Sequence, residues 1–456
     1  MKKTFTLLVS MFSLCGFAVA QKAEAQMAKK IADEVLQHST AYENLRYLTK
    51  NIGPRLSGSN NAQKAVEATA KMLWEAGADT VYLQPCMVPH WERGAKETGF
   101  IKLANGTKYQ LSLCALGNSV GSGNKGVSAN VIEVRSLKEL DEIGAGAKGK
   151  IIFFNIPMNP TYVRTFRAYG EAGAGRRLGP SQAAKYGAVG VMVRSLASNI
   201  DRYPHTGATQ YNDSFPKIPA IAISTKDAEW LSHALKTDKL VKASFKTHCR
   251  MLPDAASFNV IGEIKGTTNP QEILTVGGHL DSWDLAEGAQ DDGAGCVQSI
   301  EVIRALKALK IQPRRTIRAV MFMNEENGGR GGKAYLQWAK DKKEQHLFAL
   351  ESDAGGFTPR GISMDMSEAK RSRMIEWKPL FLEYGIYDFS PGGGGADIGP
   401  LKELGTALAG FAPDSQRYFD LHHAPNDVFE AVSKRELDLG AANMTLLMWL
   451  VSEYGL

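Results

Sequence analysis

Cysteine is scarce in this 456-residue chain, with five in all, and no two form a Cys-x-x-Cys pair. That excludes a zinc knuckle, a dithiol redox motif and a small fold built on disulfides. Neither sign of charge dominates: 54 Lys and Arg face 48 Asp and Glu, scattered along the sequence. A net +6 spread in this way leaves no nucleic-acid footprint. Past the first twenty positions no apolar run approaches 18 residues, so no stable membrane insertion is expected there. Internal repeats and low-complexity tracts are lacking as well. Apolar residues at 44% and charged residues at 22% sit near the globular average, which excludes wholesale disorder, and the length predicts two or three domains.

At the N-terminus, Lys2 and Lys3 precede an apolar run from Phe5 to Phe17, and Ala18 and Ala20 flank Val19. A basic start, a short apolar core and an A-x-A ending predict a signal peptide over residues 1–20, and so a periplasmic or secreted protein. The run is too short for an anchor. Bulky Leu14 before Cys15 argues against a lipoprotein site. Cleavage removes two of the 54 basic residues and no acids, leaving a net +4. Of the remaining cysteines, Cys86, Cys114, Cys249 and Cys296, an oxidising compartment permits a bridge such as Cys86–Cys114 without fixing it, and Cys296 reads as a small core residue.

Residues 27–76 read as helices around the turn-rich loop Asn51 to Ser59, with Asn60 placed to cap the helix that follows. Residues 80–115 look like short strands. Within 118–250, the apolar runs Ile151 to Phe154, Ala188 to Val193 and Ile218 to Ile223 set apart a β-rich module. It divides a larger domain into two pieces, 21–117 and 251–456. In the second piece strands and helices alternate. Apolar runs at Asn259 to Ile264, Ile273 to Gly277, Thr316 to Met323 and Leu347 to Leu350 surround a helical stretch from Asp292 to Leu309, and a last helix covers about 436–454. This alternation predicts an α/β fold, a doubly wound mixed sheet with helices on both faces.

Three of these strands run into chemistry. Ile273 to Gly277 leads to His279 and Asp281, Thr316 to Met323 to Glu325 and Glu326, and Leu347 to Leu350 to Asp353. Functional residues gather at the carboxyl ends of strands in open α/β sheets. Asp291-Asp292-Gly293 and His422-His423, the latter shortly before Asp427, complete the set. Taken singly, H-x-D is a weak signal, a Glu-Glu pair is usually a solvated surface, and Asp-Asp-Gly could merely cap a helix. In order, and at successive strand ends, they predict something more. So many carboxylates in one cleft would repel one another unless cations stood between them. Two histidines with carboxylates suit zinc, one carboxylate can bridge two ions, and a spare one can move a proton. The residues themselves thus predict a two-metal hydrolase.

At these positions the sequence resembles the zinc exopeptidases of peptidase family M28, over nearly the whole chain. The resemblance is carried by Ile52 to Ser59, Gly278 to Asp284, Glu287 to Gly293, Glu325-Glu326, Glu351 to Gly355 and Tyr418 to His423. It implies two zinc ions per chain, with Asp291 bridging, His279 and Asp353 completing one shell, and Glu326 and His423 the other. Glu325 would be the general base, Asp281 would orient His279, and the Asp291–Asp292 peptide would be cis. His423 is preferred to His422 because it stands four residues before Asp427, as in the family. The module 118–250 resembles the family's inserted protease-associated domain. Its segment Tyr203 to Gly207 would act as a lid, with His205 touching substrate. Gly395-Ala396-Asp397-Ile398 departs from the Ser-Asp-His of many members. The implied activity is hydrolysis of dipeptides or short peptides by a possible homodimer, with aminopeptidase preference as the alternative. More remote readings are a single-zinc glutaminyl cyclase and a non-catalytic ectodomain.

Overall fold

The computed structural model describes residues 22–238 and 240–456, so the expected signal peptide lies outside the described residues. Helices at 22–38, Ala41–Arg46 and Asn60–Glu75 precede the first long strand, β1 (Thr80–Glu92). Eight strands follow: β2 (Thr98–Lys102), β3 (Lys108–Gln110), β4 (Leu113–Ala115), β5 (Val127–Val134), β6 (Ile151–Phe154), β7 (Gly190–Arg194), β8 (Ala220–Ile223) and β9 (Lys242–Lys246). The last group is β10 (Arg250–Ile264), β11 (Asn269–His279), β12 (Arg315–Phe322), β13 (Gln345–Glu351), β14 (Pro359–Asp365), β15 (Asp388–Pro391) and β16 (Ala407–Pro413). The helix Asn60–Glu75 is capped by Ser59, whose side chain accepts from the Ala62 N–H. Asn60, expected in that role, is the first helical residue instead.

These strands form two mixed eight-stranded sheets. The first runs β1-β10-β12-β11-β13-β16-β14-β15, and the second β3-β2-β9-β5-β6-β7-β8-β4. β1 and β10 pair antiparallel until Glu92 faces Arg250, so the chain leaves the first sheet at one point and returns beside it. Everything between is an insert. The boundary expected at 117/118 therefore falls inside the second sheet, because short strands such as β2 to β4 read alike whichever sheet they join. The insert is also less purely β than its apolar runs suggest, since helices Leu137–Ile143, Gly179–Lys185 and Thr225–Thr237 flank parallel strands β5 to β8.

In the first sheet β12, β11, β13 and β16 are parallel, as the strand–helix alternation predicts. Period-two burial covers both faces. Ile317, Ala319 and Met321 pack with Val297, Ile300 and Leu306 of helix Ala294–Ala308 and with Leu447 and Leu450 of helix Lys434–Tyr454. Val320 and Phe322, pointing the other way, pack with Tyr335 and Leu336 of helix Arg330–Lys342. The connection after β11 leads to β12 on one side, and β13 lies on the other. A topological switch point thus opens at the carboxyl ends of β11 and β13, where α/β sheets carry their sites. All four cysteines among the described residues are free and buried; Cys86 belongs to the first sheet's core and Cys114 to the insert's, so the possible Cys86–Cys114 bridge is not formed.

The insert docks on the first sheet around Trp283. Leu56, Trp91, Ala115, Cys249 and Trp283 form a small apolar cluster, and Arg93 donates to both oxygens of Asp284 at 2.8 and 2.6 Å. Gly117 lies so close to Trp283 that a Cβ there would stand 1.8 Å from the ring. Any side chain at Gly117 would push the insert away.

Candidate metal centre

His279 is the last residue of β11, and its position is set by hydrogen bonds on three sides. Its N–H donates to Asp292 Oδ2 at 3.0 Å, its carbonyl accepts from the Cys296 thiol, and Nδ1 lies 2.8 Å from the Asp281 carbonyl. That leaves Nε2 facing Asp291 Oδ1 at 3.1 Å and Asp353 Oδ1 at 3.4 Å. Asp353 stands two residues beyond β13. On the opposite side of Asp291, His423 Nε2 lies 3.3 Å from Oδ2 and 3.0 Å from Glu326 Oε2. The five residues expected as ligands therefore converge on one carboxylate, Asp291, with a histidine and an acid on each side. Among the described residues, three ligating sets cluster closely: Asp291, His422 and His423; His279, Asp292 and Asp353; and His279, Asp291 and Glu326.

One neighbour in those sets is already committed. Asp292 accepts from the His279 and Gly295 N–H groups at 3.0 Å each, and so fixes backbone. His422 Nε2 is 3.7 Å from Asp291 Oδ2, and His423 Nε2 is 3.3 Å from it. The Asp291–Asp292 peptide is cis, as expected. Asp427 receives the Gln290 and Asp291 N–H groups at 2.8 and 3.2 Å, which ties the turn bearing Asp291 to the one bearing His423. Sequence reading used Asp427 only as a spacing mark.

Asp281 makes two kinds of contact. Its carbonyl, not its carboxylate, orients His279; the carboxylate is 3.9 Å from Nδ1. Asp281 Oδ1 instead accepts the Asn324 and Glu325 N–H groups at 2.7 and 3.0 Å. Asn324 has φ of 73°, a sharp turn directly before Glu325 and Glu326. His205 lies elsewhere than expected. It is buried behind the histidine pair, with Nδ1 2.7 Å from the His422 carbonyl, and the next residue, Thr206, donates its N–H to the His423 carbonyl at 3.0 Å. It props the ligand turn and does not line the cleft. Arg55, buried and donating to the carbonyls of Leu280, Glu287 and Gly288, braces the loop from the other side. Its only sequence signal was its place in the Gly-Pro-Arg turn.

The electrostatics are those of a cation site. Burial, with Asp353 and Glu326 nearby, holds Glu325 well above the usual carboxylate range. Burial also raises Glu326 to about 7, despite the opposing pull of His423. Asp291 is the exception: burial pulls it up, but His279 and His423 outweigh that and hold it well below its ordinary value. Asp291 Oδ2 and Glu326 Oε1 are buried without a hydrogen-bond partner. Unpaired buried carboxylate oxygens are costly, and divalent cations between the two histidine–acid pairs would satisfy them. The donor set fits zinc. A cleft of about 410 Å³ opens onto Asp291, Glu325, Glu326, Asp353 and His423, and helical residues of the insert form its opposite wall.

An α/β sheet with histidines and acids gathered at its switch point defines a metal-dependent hydrolase. The comparisons with known proteins agree. Residues 259–448 match the model of peptidase family M28. Carboxypeptidase Q of Bos taurus is 34% identical over 413 residues, 91% of this chain and 85% of that protein. The crystal structure of a peptidase M28 precursor from Shewanella amazonensis superposes with a TM-score of 0.90 at 32% identity, covering 95% of this chain and 98% of the other. The zinc aminopeptidase BSAP from Bacillus subtilis shares the fold at a TM-score of 0.63, 23% identity, and coverage of 90% and 93%. The chain belongs to peptidase family M28, and is a metallo-exopeptidase acting on peptide bonds.

Proposed function

We propose that this protein is an exported di-zinc exopeptidase that hydrolyses dipeptides or short peptides. The observation that carries the reading is the placement of Asp291 between His279 and His423, each accompanied by its own acid, Asp353 or Glu326. His279, Asp291 and Asp353 would hold one ion, and Asp291, Glu326 and His423 the other. When bound, zinc would polarise the scissile carbonyl and acidify the attacking water. Glu325 makes no hydrogen bond that would tie up its carboxylate among the described residues, and it lines the cleft. It would take the proton from that water and return it to the leaving amine. Asp281 fixes the Glu325 N–H and so aims the base. The insert corresponds to a protease-associated lid over the cleft. Export rests on the N-terminal pattern, and would be checked by finding Gln21 at the start of the mature protein.

The test is metal content together with turnover. Mass spectrometry of metal-loaded protein should find two zinc ions per chain, and Glu325→Gln should keep both while losing nearly all dipeptide hydrolysis. A single ion per chain would favour the one-metal acyltransferase reading, and a fully active Glu325→Gln would remove Glu325 from its role. Aminopeptidase activity is the second reading, and the fold shared with BSAP does not separate the two. Efficient cleavage of C-amidated aminoacyl substrates would decide for it.

A further inference from the structure

The cleft is bounded on the peptidase side by acids and histidines. Across from them, the insert contributes two adjacent arginines, Arg176 and Arg177, the only Lys or Arg side chains lining it among the described residues. Arg176 is 5% exposed. A buried guanidinium is normally matched by a carboxylate. Arg176 has no such ion pair among the described residues. It donates to the Tyr169 hydroxyl at 2.6 Å and to the Thr206 carbonyl at 3.4 Å, and its Nε is buried without a partner. Two of its five donors are thus used, and both acceptors are neutral. The guanidinium is cradled where only glycine fits: a Cβ on Gly207 would lie 2.4 Å from Nη1. Tyr169 also packs edge-on against His422, so the arginine is braced by the same elements that hold the histidine turn. Arg177, beside it, is exposed and makes no side-chain hydrogen bond or ion pair among the described residues.

We propose that Arg176, with Arg177 beside it, receives the free α-carboxylate of the substrate, which makes the enzyme selective for dipeptides and short peptides with an unblocked C-terminus. This rests on the peptidase reading above. An anion entering a cleft lined by Asp291, Glu325, Glu326 and Asp353 needs a local cation, and the guanidinium fork matches a carboxylate in two-point geometry. Tyr169 and Gly207 fix the fork before substrate arrives, so little rotamer freedom is lost on binding.

Calorimetry on the zinc-loaded Glu325→Gln protein tests this without requiring turnover. A free dipeptide should bind about 10- to 100-fold more tightly than its C-terminal amide, the scale of one charge-assisted hydrogen bond. Adding Arg176→Gln should abolish that difference while leaving two zinc ions bound, and Arg177→Gln should reduce it. In the active enzyme Arg176→Gln should raise KM for the free acid with a smaller change in kcat. Equal binding of acid and amide by the Glu325→Gln protein would overturn the carboxylate site. So would an equal loss for both ligands on Arg176→Gln, which marks a merely structural arginine. Failure of the wild type to cleave any peptide would instead overturn the peptidase reading, with the calorimetric preference still deciding the role of Arg176.

Discussion

His279 and His423 stand on either side of Asp291, 3.1 and 3.3 Å from its oxygens, but they are brought there by different means. His279 and Asp353 come from the ends of adjacent parallel strands, β11 and β13, in register up to Gly277 opposite Glu351. Their spacing is thus set by the sheet itself. His423 lies in a turn with φ of 63°, a conformation that a non-glycine residue keeps only where its surroundings impose it. Those surroundings include the insert: the Thr206 N–H holds the His423 carbonyl, and His205 holds that of His422. One half of the centre is a property of the sheet; the other depends on two sheets docking. Mutations that disturb the insert should therefore act on one half first.

The largest effect should come from the residue both halves share. Asp291→Ala should lower dipeptide turnover by more than about 1,000-fold, the scale seen when a residue acting within a catalytic unit is removed. It should also reduce bound zinc well below two per chain by mass spectrometry, whereas two retained ions would break the symmetry assigned to Asp291. A smaller, one-sided effect should follow His205→Ala. Losing a partner of a ligand-bearing turn weakens metal affinity by about 10- to 100-fold, and chelator titration should resolve one weakened ion and one unchanged. Equal weakening of both would show that the halves are not independently supported.

The smallest effect serves to separate sheet stability from the centre. At the opposite edge of the first sheet, burial would raise Glu344, but hydrogen bonds from His346 and Arg318 prevail and hold it at about 2 against an ordinary 4.5. A depressed carboxylate stabilises the fold above its ordinary value, and that contribution fades as pH falls from about 4.5 towards 2. Glu344→Gln should cost about 1–2 kcal/mol in denaturant unfolding near pH 7, and less as the pH approaches 2. Zinc content should be unchanged at pH 7. A stability loss that persists undiminished at low pH would contradict the ionised state of Glu344.

The parts of the centre that were legible early are those fixed by short-range pattern. Apolar runs ending in His279, Glu325-Glu326 and Asp353 locate strand termini, and parallel strands bring their termini to one edge. By contrast β14, β15 and β16 carry little sequence signal. β15 has only four residues, and Gly361 and Gly410 interrupt the apolar pattern of β14 and β16. Sequence sets Asp281 two residues from His279 but does not tell a carbonyl contact from a carboxylate one.

Sequence by itself determined the doubly wound sheet and the histidines and acids that meet at its edge; the roles of shared acid and spare base are what the family resemblance implies. Periodicity and strand-end position are local properties, and the chain carries them wherever it folds. Only the tertiary structure decided where the insert begins, that His205 and Thr206 brace the histidine turn, and that Arg176 faces the acidic wall without an acid of its own. The bracing contacts join residues more than two hundred positions apart, and the insert closes where Glu92 meets Arg250; no short window along the sequence contains both partners.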